Sequence, residues 1–128
     1  MNPEIKAAWV AALRSGQYQP LRGALAPDED APGIEPLRRC CLGVLCDLAV
    51  EAGVAVKDMG YFRAVVDEAD TSDQVLPDAV VVWANLDNPS PAVRLRRTAL
   101  RVVEEPLAYL NDQRVPWAEL AELIEEQL

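Results

Sequence analysis

Apolar residues recur at helical spacing at both ends of the chain and lose that rhythm in the middle. Ile5, Ala8, Trp9, Ala12 and Leu13 fall three and four apart behind an opening Asn2-Pro3-Glu4. That opening supplies a capping side chain, a proline for the first helical position and an acid at the positive end of the dipole. Gly16 offers a left-handed stop. At the other end Trp117, Leu120, Ala121, Ile124 and Leu128 make one face of a helix over 116–128, with Glu119, Glu122, Glu125 and Glu126 opposite. Residues 37–52 read as a further helix, ended by Gly53. Its polar positions Arg39, Gly43, Asp47 and Glu51 recur every four residues on an otherwise apolar cylinder, which predicts a helix buried at the centre of the fold.

The intervening segments are less regular. Residues 17–36 hold Pro20, Gly23, Pro27, Pro32, Gly33 and Pro36 around Asp28-Glu29-Asp30, the pattern of a mobile loop. Tyr61 to Val66 reads as a short strand, 67–73 as a turn and Gln74-Val75-Leu76 as the returning partner. Pro77-Asp78 opens a helix through Trp83 to Leu86, with Val80-Val81-Val82 keeping a strand as the rival. Ala92–Glu104 fits a helix through Val93, Leu100 and Val103. It fits an edge strand through its alternation of arginine with apolar residues, and the strand, paired with 61–66, is preferred. Pro106 begins a short helix to Asp112, and Asp112 or the turn after it is expected to cap the last helix. The expected fold class is mainly α (α+β), a single domain over 1–128. It is a compact bundle of about four to five helices around the buried central helix, with a small β-hairpin or short antiparallel sheet in residues 60–104.

Composition supports helix packing: 51% of the residues are hydrophobic, mostly Ala, Val and Leu, and only 5% are aromatic. Charge adds more. The net charge of −9 is unevenly spread, with eight acids against seven bases in residues 1–64 and thirteen against five in 65–128. Such a surface repels phosphate backbones and anionic membranes, so direct nucleic-acid or membrane binding is not expected. No apolar run approaches the ~20 residues of a membrane span. The chain opens without a basic region followed by an apolar run, and its three cysteines lie within seven residues in poor register for a disulfide. A reducing cytoplasm is the expected compartment.

Histidine is absent. Its absence removes Cys-His and Ser-His-Asp catalysis, the usual base near neutral pH and most transition-metal sites, so no catalytic residue, metal or cofactor is expected and an enzyme is the weaker reading. Cys40 and Cys41 near a helix start beside Arg38 and Arg39 fit a reactive thiol. They fit more simply as small apolar fillers at a tight crossing with Gly43. The only basic concentration is Arg94, Arg96, Arg97 and Arg101. It suits either a phosphate or carboxylate clamp or a solvated face paired with nearby glutamates. Candidate ligand-binding residues are Arg38, Arg39, Trp83, Arg94, Arg97, Arg101 and Tyr109. Glu119, Glu122 and Glu126 form an acidic ridge that fits a protein interface, or a row of mimicked phosphates, besides an ordinary solvent face.

Three blocks carry a family resemblance: Met1 to Tyr18 (MNPEIKAAWVAALRSGQY), Cys40 to Ala49 (CCLGVLCDLA), and Leu107 to Asp112 with the tail Ala121 to Glu126. Leu76-Pro77 with Trp83-Ala84-Asn85-Leu86 adds a middle block. In this order they resemble a group of small bacteriophage and prophage proteins, found mainly in actinobacterial and proteobacterial genomes. Two positions depart from the group's pattern: Arg39 stands where an aromatic is expected and Arg114 where a glycine is expected. The resemblance implies a phage setting in a bacterial host cell rather than an activity. The expected function is that of an accessory protein that binds a host factor stoichiometrically and without catalysis, with inhibition of a defence component as one form. The alternatives are a sequestering binder of an anionic small molecule or signalling nucleotide, and an acidic DNA mimic.

Overall fold

The computed structural model describes residues 1–30, 33 and 36–128. Helix α1 (Pro3–Arg14) starts where Asn2 Oδ1 accepts from the amides of Glu4 and Ile5, and it buries Trp9, Val10 and Leu13. Strand β1 (Tyr18–Pro20) pairs in parallel with β2 (Leu37–Arg39), and Cys40 then caps α2 (Cys41–Glu51). A helix from Leu37 is therefore corrected: the chain is extended up to Cys40, whose Sγ accepts from Gly43 N at 3.3 Å. The expected loop over 17–36 lies partly outside the described residues, but its first part contributes β1.

Strands β3 (Ala55–Asp58), β4 (Tyr61–Ala64) and β5 (Thr71–Ser72) form an antiparallel sheet in that order. The partners of β4 are thus β3 and β5, and neither Gln74-Val75-Leu76 nor the 92–104 segment pairs with it. Helix α3 (Asp78–Ala84) is capped from a distance, with the Asp70 carboxylate accepting from the amides of Asp78 and Ala79 at 2.7 and 2.8 Å. Strands β6 (Ala92–Thr98) and β7 (Arg101–Pro106) make a two-stranded antiparallel arm with a register shift between Arg96 and Thr98. The short helix α4 (Leu107–Asp112) and α5 (Trp117–Gln127) close the chain. Asp112 does not cap α5. Its carboxylate accepts from Gly23 N, and α5 starts from Pro116 without a side-chain cap.

Helix takes 38% and strand 23%, with seven strands in three sheets among the described residues, so the fold is α+β and not mainly helical. The reason lies in pairing. Each sheet is small, and several strands are too short to show alternation of their own; they become strands because a partner reaches them.

The core runs through Trp9, Leu25, Leu42, Leu45, Phe62, Leu76, Leu107, Leu110, Leu120 and Ile124. Every residue from Cys41 to Cys46 is buried, because α2 is covered by α1, α3, α4 and the 24–26 segment. Gly43 is where that covering is tightest. A Cβ there would lie 2.0 Å from the Leu25 carbonyl oxygen, and the same carbonyl accepts from Cys40 N at 3.1 Å. Three helices end alike, with a left-handed residue and an amide reaching back to the last turn: Val54 N to Ala49 O, Leu86 N to Val81 O and Val115 N to Leu110 O. The left-handed residues are Gly53, Asn85 and Arg114.

Gly43→Ala is expected to destabilise the fold by about 3 kcal/mol, since the opposing atom is backbone and cannot rotate away. Urea unfolding reads this as a lower midpoint, and an unchanged midpoint would show that the 24–26 segment is not packed as described.

Candidate functional site

The cysteine cluster is sealed. Trp9 Nε1 donates to Cys41 O at 2.9 Å, Asn111 Oδ1 accepts from Cys41 N at 3.2 Å, and the Cys41 thiol donates to Leu107 O. Burial pushes the Cys40 thiol up to about 11 and raises Cys41 and Cys46 well above the ordinary range. Near neutral pH these thiols stay protonated and out of reach, which is the opposite of what a nucleophile needs. Among the described residues no group of histidine, cysteine or acid side chains is placed to hold a metal ion.

Arg39, a candidate ligand-binding residue, is buried with its guanidinium engaged inside the chain. Its side chain is 3% exposed. Nη1 and Nη2 donate to the two Asp30 oxygens at 2.7 and 2.9 Å, and Nε donates to Asp47 Oδ2 at 3.0 Å. Both acids are therefore spent on Arg39, which joins Asp30 to Asp47 of α2. Burial raises the Asp47 carboxyl despite Arg39, whereas the hydrogen bond from Arg39 holds Asp30 below its ordinary value. The Tyr18 hydroxyl is pushed up to about 12 by burial and by the nearby Asp47 charge, which sets it beside this cluster. Arg38 faces solvent on β2, and Trp83 is half-buried on α3, packed against the core.

Of the remaining candidates, Arg94, Arg97 and Arg101 lie on the arm. Arg94, Arg96, Arg97 and Arg101 are all exposed on it, and among the described residues only Arg97 has an acidic partner, Glu105 at 3.6 Å. The root of the arm is fixed by Gln127, whose amide accepts from Arg94 N at 2.6 Å and donates to Arg94 O at 2.9 Å. Gln127 thus mimics a neighbouring strand at one residue of the β6 edge. Between the arm and the α4–α5 pair lies a cleft of about 390 Å³ lined by Leu95, Arg96, Arg97, Tyr109, Gln113 and Glu119 among others. Arg97, Tyr109 and Glu119 are brought together there. Arg94 and Arg101 lie outside it, and Glu122 and Glu126 stay on the open face of α5. Arg96, which the sequence places in the arginine run but not among the candidate ligand-binding residues, and Gln113, which it does not single out, also line the cleft. The signal for Arg96 was its place in the arginine run, but which arginine faces the body depends on the register shift beside it.

No helix among the described residues is long and apolar enough to cross a membrane. Over residues 1–128 the chain matches the family described as "Domain of unknown function (DUF8296)". No curated protein and no solved structure matches it.

The Asp30–Arg39 pair makes stability depend on acidity. Because the folded Asp30 carboxyl sits below its unfolded value, its contribution is complete above the unfolded range near ~3.9 and is lost as pH falls through the folded value. Asp47, raised by burial, acts in the opposite sense, its share being present at low pH and lost as pH rises. Asp30→Asn is therefore expected to melt lower near neutral pH and to lose less on acidification from about pH 5 to about pH 2. Melting curves across that range check it, and parallel pH profiles for variant and parent would sink the assignment.

Proposed function

We propose that this chain, which belongs to the DUF8296 family, acts without catalysis by stoichiometric binding of a protein partner, and that the β6–β7 arm is the element that binds. The observation that carries this reading is the chemistry of the arm. It gathers four arginines within eight residues on a protein of net charge −9, and it presents Leu100 at 99% exposure and Val102 at 53%. Arginine is enriched at interface centres, where its guanidinium bonds carboxylates, and its apolar stem with the neighbouring aliphatic side chains helps to exclude water from those bonds. Among the described residues only Arg97 of the arm is engaged by an acid, so a partner need displace little.

Charge selects the partner. An acidic protein surface is repelled by the body of the molecule and attracted by the arm, so encounter is steered to one orientation. A nucleic acid meets the same body charge along a far longer line of phosphates, which disfavours it. The phage-like sequence blocks make a host factor in the bacterial cytoplasm the natural partner, with blockade of a defence component as one consequence.

A second reading draws on the cleft beneath the arm. Arg96, Arg97 and Tyr109 line a cavity of about 390 Å³, a volume in the range of small-molecule sites, which fits sequestration of a small anion.

Replacing Leu100 by a photo-crosslinking residue is expected to trap one host protein saturably. Arg96→Glu with Arg101→Glu should abolish the crosslink while leaving the melting temperature within about two degrees, as befits exposed positions. A crosslinked species that survives both reversals, or none above background, would overturn the arm as the binding element.

A further inference from the structure

Of the three helix ends closed by both a left-handed residue and an amide reaching back to the last turn, two use residues that accept that backbone readily, Gly53 at φ 78° and Asn85 at φ 54°. The third uses Arg114 at φ 65°, a conformation that a long side chain adopts only at a cost. An outlier of this kind is a reason to look at what its side chain borders. Arg114 helps to line a second cleft, of about 240 Å³, together with Tyr18, Pro20, Arg22, Asn111 and Trp117. Val115 borders both clefts, so they lie on either side of the α4–α5 turn.

The aromatic pair in this cleft is held in place before any ligand arrives. The Tyr18 and Trp117 rings stand 6.5 Å apart at 47°. Trp117 Nε1 donates to Asn111 Oδ1 at 2.9 Å, and Tyr18 stands on β1 packed against the core, so both rings are positioned by the protein. Asn111 is in turn pinned by the amide of Cys41 and by its own donation to Leu21 O. Arg22 and Arg114 are exposed and form no ion pair among the described residues, although acids outnumber bases by nine in the chain.

We infer that this cleft is a ligand site separate from the arm, and that it takes a planar ring carrying an anionic group, the chemistry of a nucleoside monophosphate. The fixed rings offer a stacking edge for a base, and the two arginines offer charge-assisted hydrogen bonds to a phosphate. Inorganic phosphate would leave the aromatic pair unused, and a neutral ring would leave the arginines unused. The site goes beyond the protein-binding reading and does not depend on it.

Calorimetric titration of the full chain with AMP, UMP and GMP tests this, with adenosine and ribose 5-phosphate as the arms that carry the ring or the anion alone. A monophosphate is expected to bind saturably, and each half-ligand at least roughly tenfold more weakly, as loss of one charged or stacking contact implies. Arg22→Ala should lower the monophosphate's affinity by a similar factor. Arg114→Gly should do the same while raising the melting temperature of the free protein, because glycine relieves the left-handed strain. That opposite movement of stability and affinity is not what a misfolded variant gives. Arg101→Glu, on the arm but outside either cleft, should leave the titration unchanged, which keeps this site's failure apart from that of the arm. No saturable monophosphate binding into the millimolar range, ribose 5-phosphate binding as tightly as AMP, or affinity that survives both Arg22→Ala and Arg114→Gly would overturn the site.

Discussion

The rest of the structure depends on how the first turn of α2 is buried. A helix start exposes amides that normally face water or a side-chain cap, and here that start lies in the middle of the core. The chain meets the demand with the Cys40 cap and with groups from three other places. Leu25 O accepts from Cys40 N, Asn111 Oδ1 accepts from Cys41 N, the Cys40 thiol accepts from Gly43 N, and the Trp9 indole donates to Cys41 O. Three of these bonds draw a distant segment onto α2: α1 through Trp9, the 24–26 segment through Leu25, and α4 through Asn111. The missing Cβ of Gly43 lets the Leu25 backbone come close enough to take part.

The same hydrogen bonds position the surface. Asn111 shares one oxygen between the Cys41 amide and the Trp117 indole, so the start of α5 is tied to the buried start of α2. The α4–α5 turn, with Arg114 and Val115, hangs from that tie, and the two clefts open on its two sides. Gln127 at the far end of α5 then holds the root of the arm through Arg94. A rigid core thus sets where the arginines of the arm and the aromatics of the second cleft stand, which is the arrangement that favours binding over a search for the right shape.

Electrostatics divides the molecule by depth. Inside, Arg39 is clamped by Asp30 and Asp47, an arrangement that aligns three segments more than it adds net stability. Outside, the glutamates of α5 keep the body acidic, while the bases of the second half are confined to the arm and Arg114. Exposed charges of this kind contribute little to folding and much to what approaches the protein and from which side.

Capping, proline placement and a 3.6-residue period are local properties, so α1, α4 and α5 were legible along the chain, and α3 with them. The acid excess on α5 and the burial of the 41–49 stretch were legible for the same reason, since each follows from side chains on a single element. Pairing is not local. Leu37–Arg39 is a strand because Tyr18–Pro20 lies beside it, and β4 found its partner in Ala55–Asp58, where the sequence carries no strong alternation. The arm could be read as a strand but not as a hairpin closed on itself, because the register shift beside Arg97 has no signature in residue type. Arg39 showed a charge and no sign of the two carboxylates that bury it, and Arg114 showed a side chain that argues against the backbone it adopts. Sequence alone determined which segments carry helix signals, where charge collects and which familiar chemistries lack their residues. The tertiary structure alone decided which arginines are consumed and which are free to bind, because that depends on contacts between segments far apart along the chain.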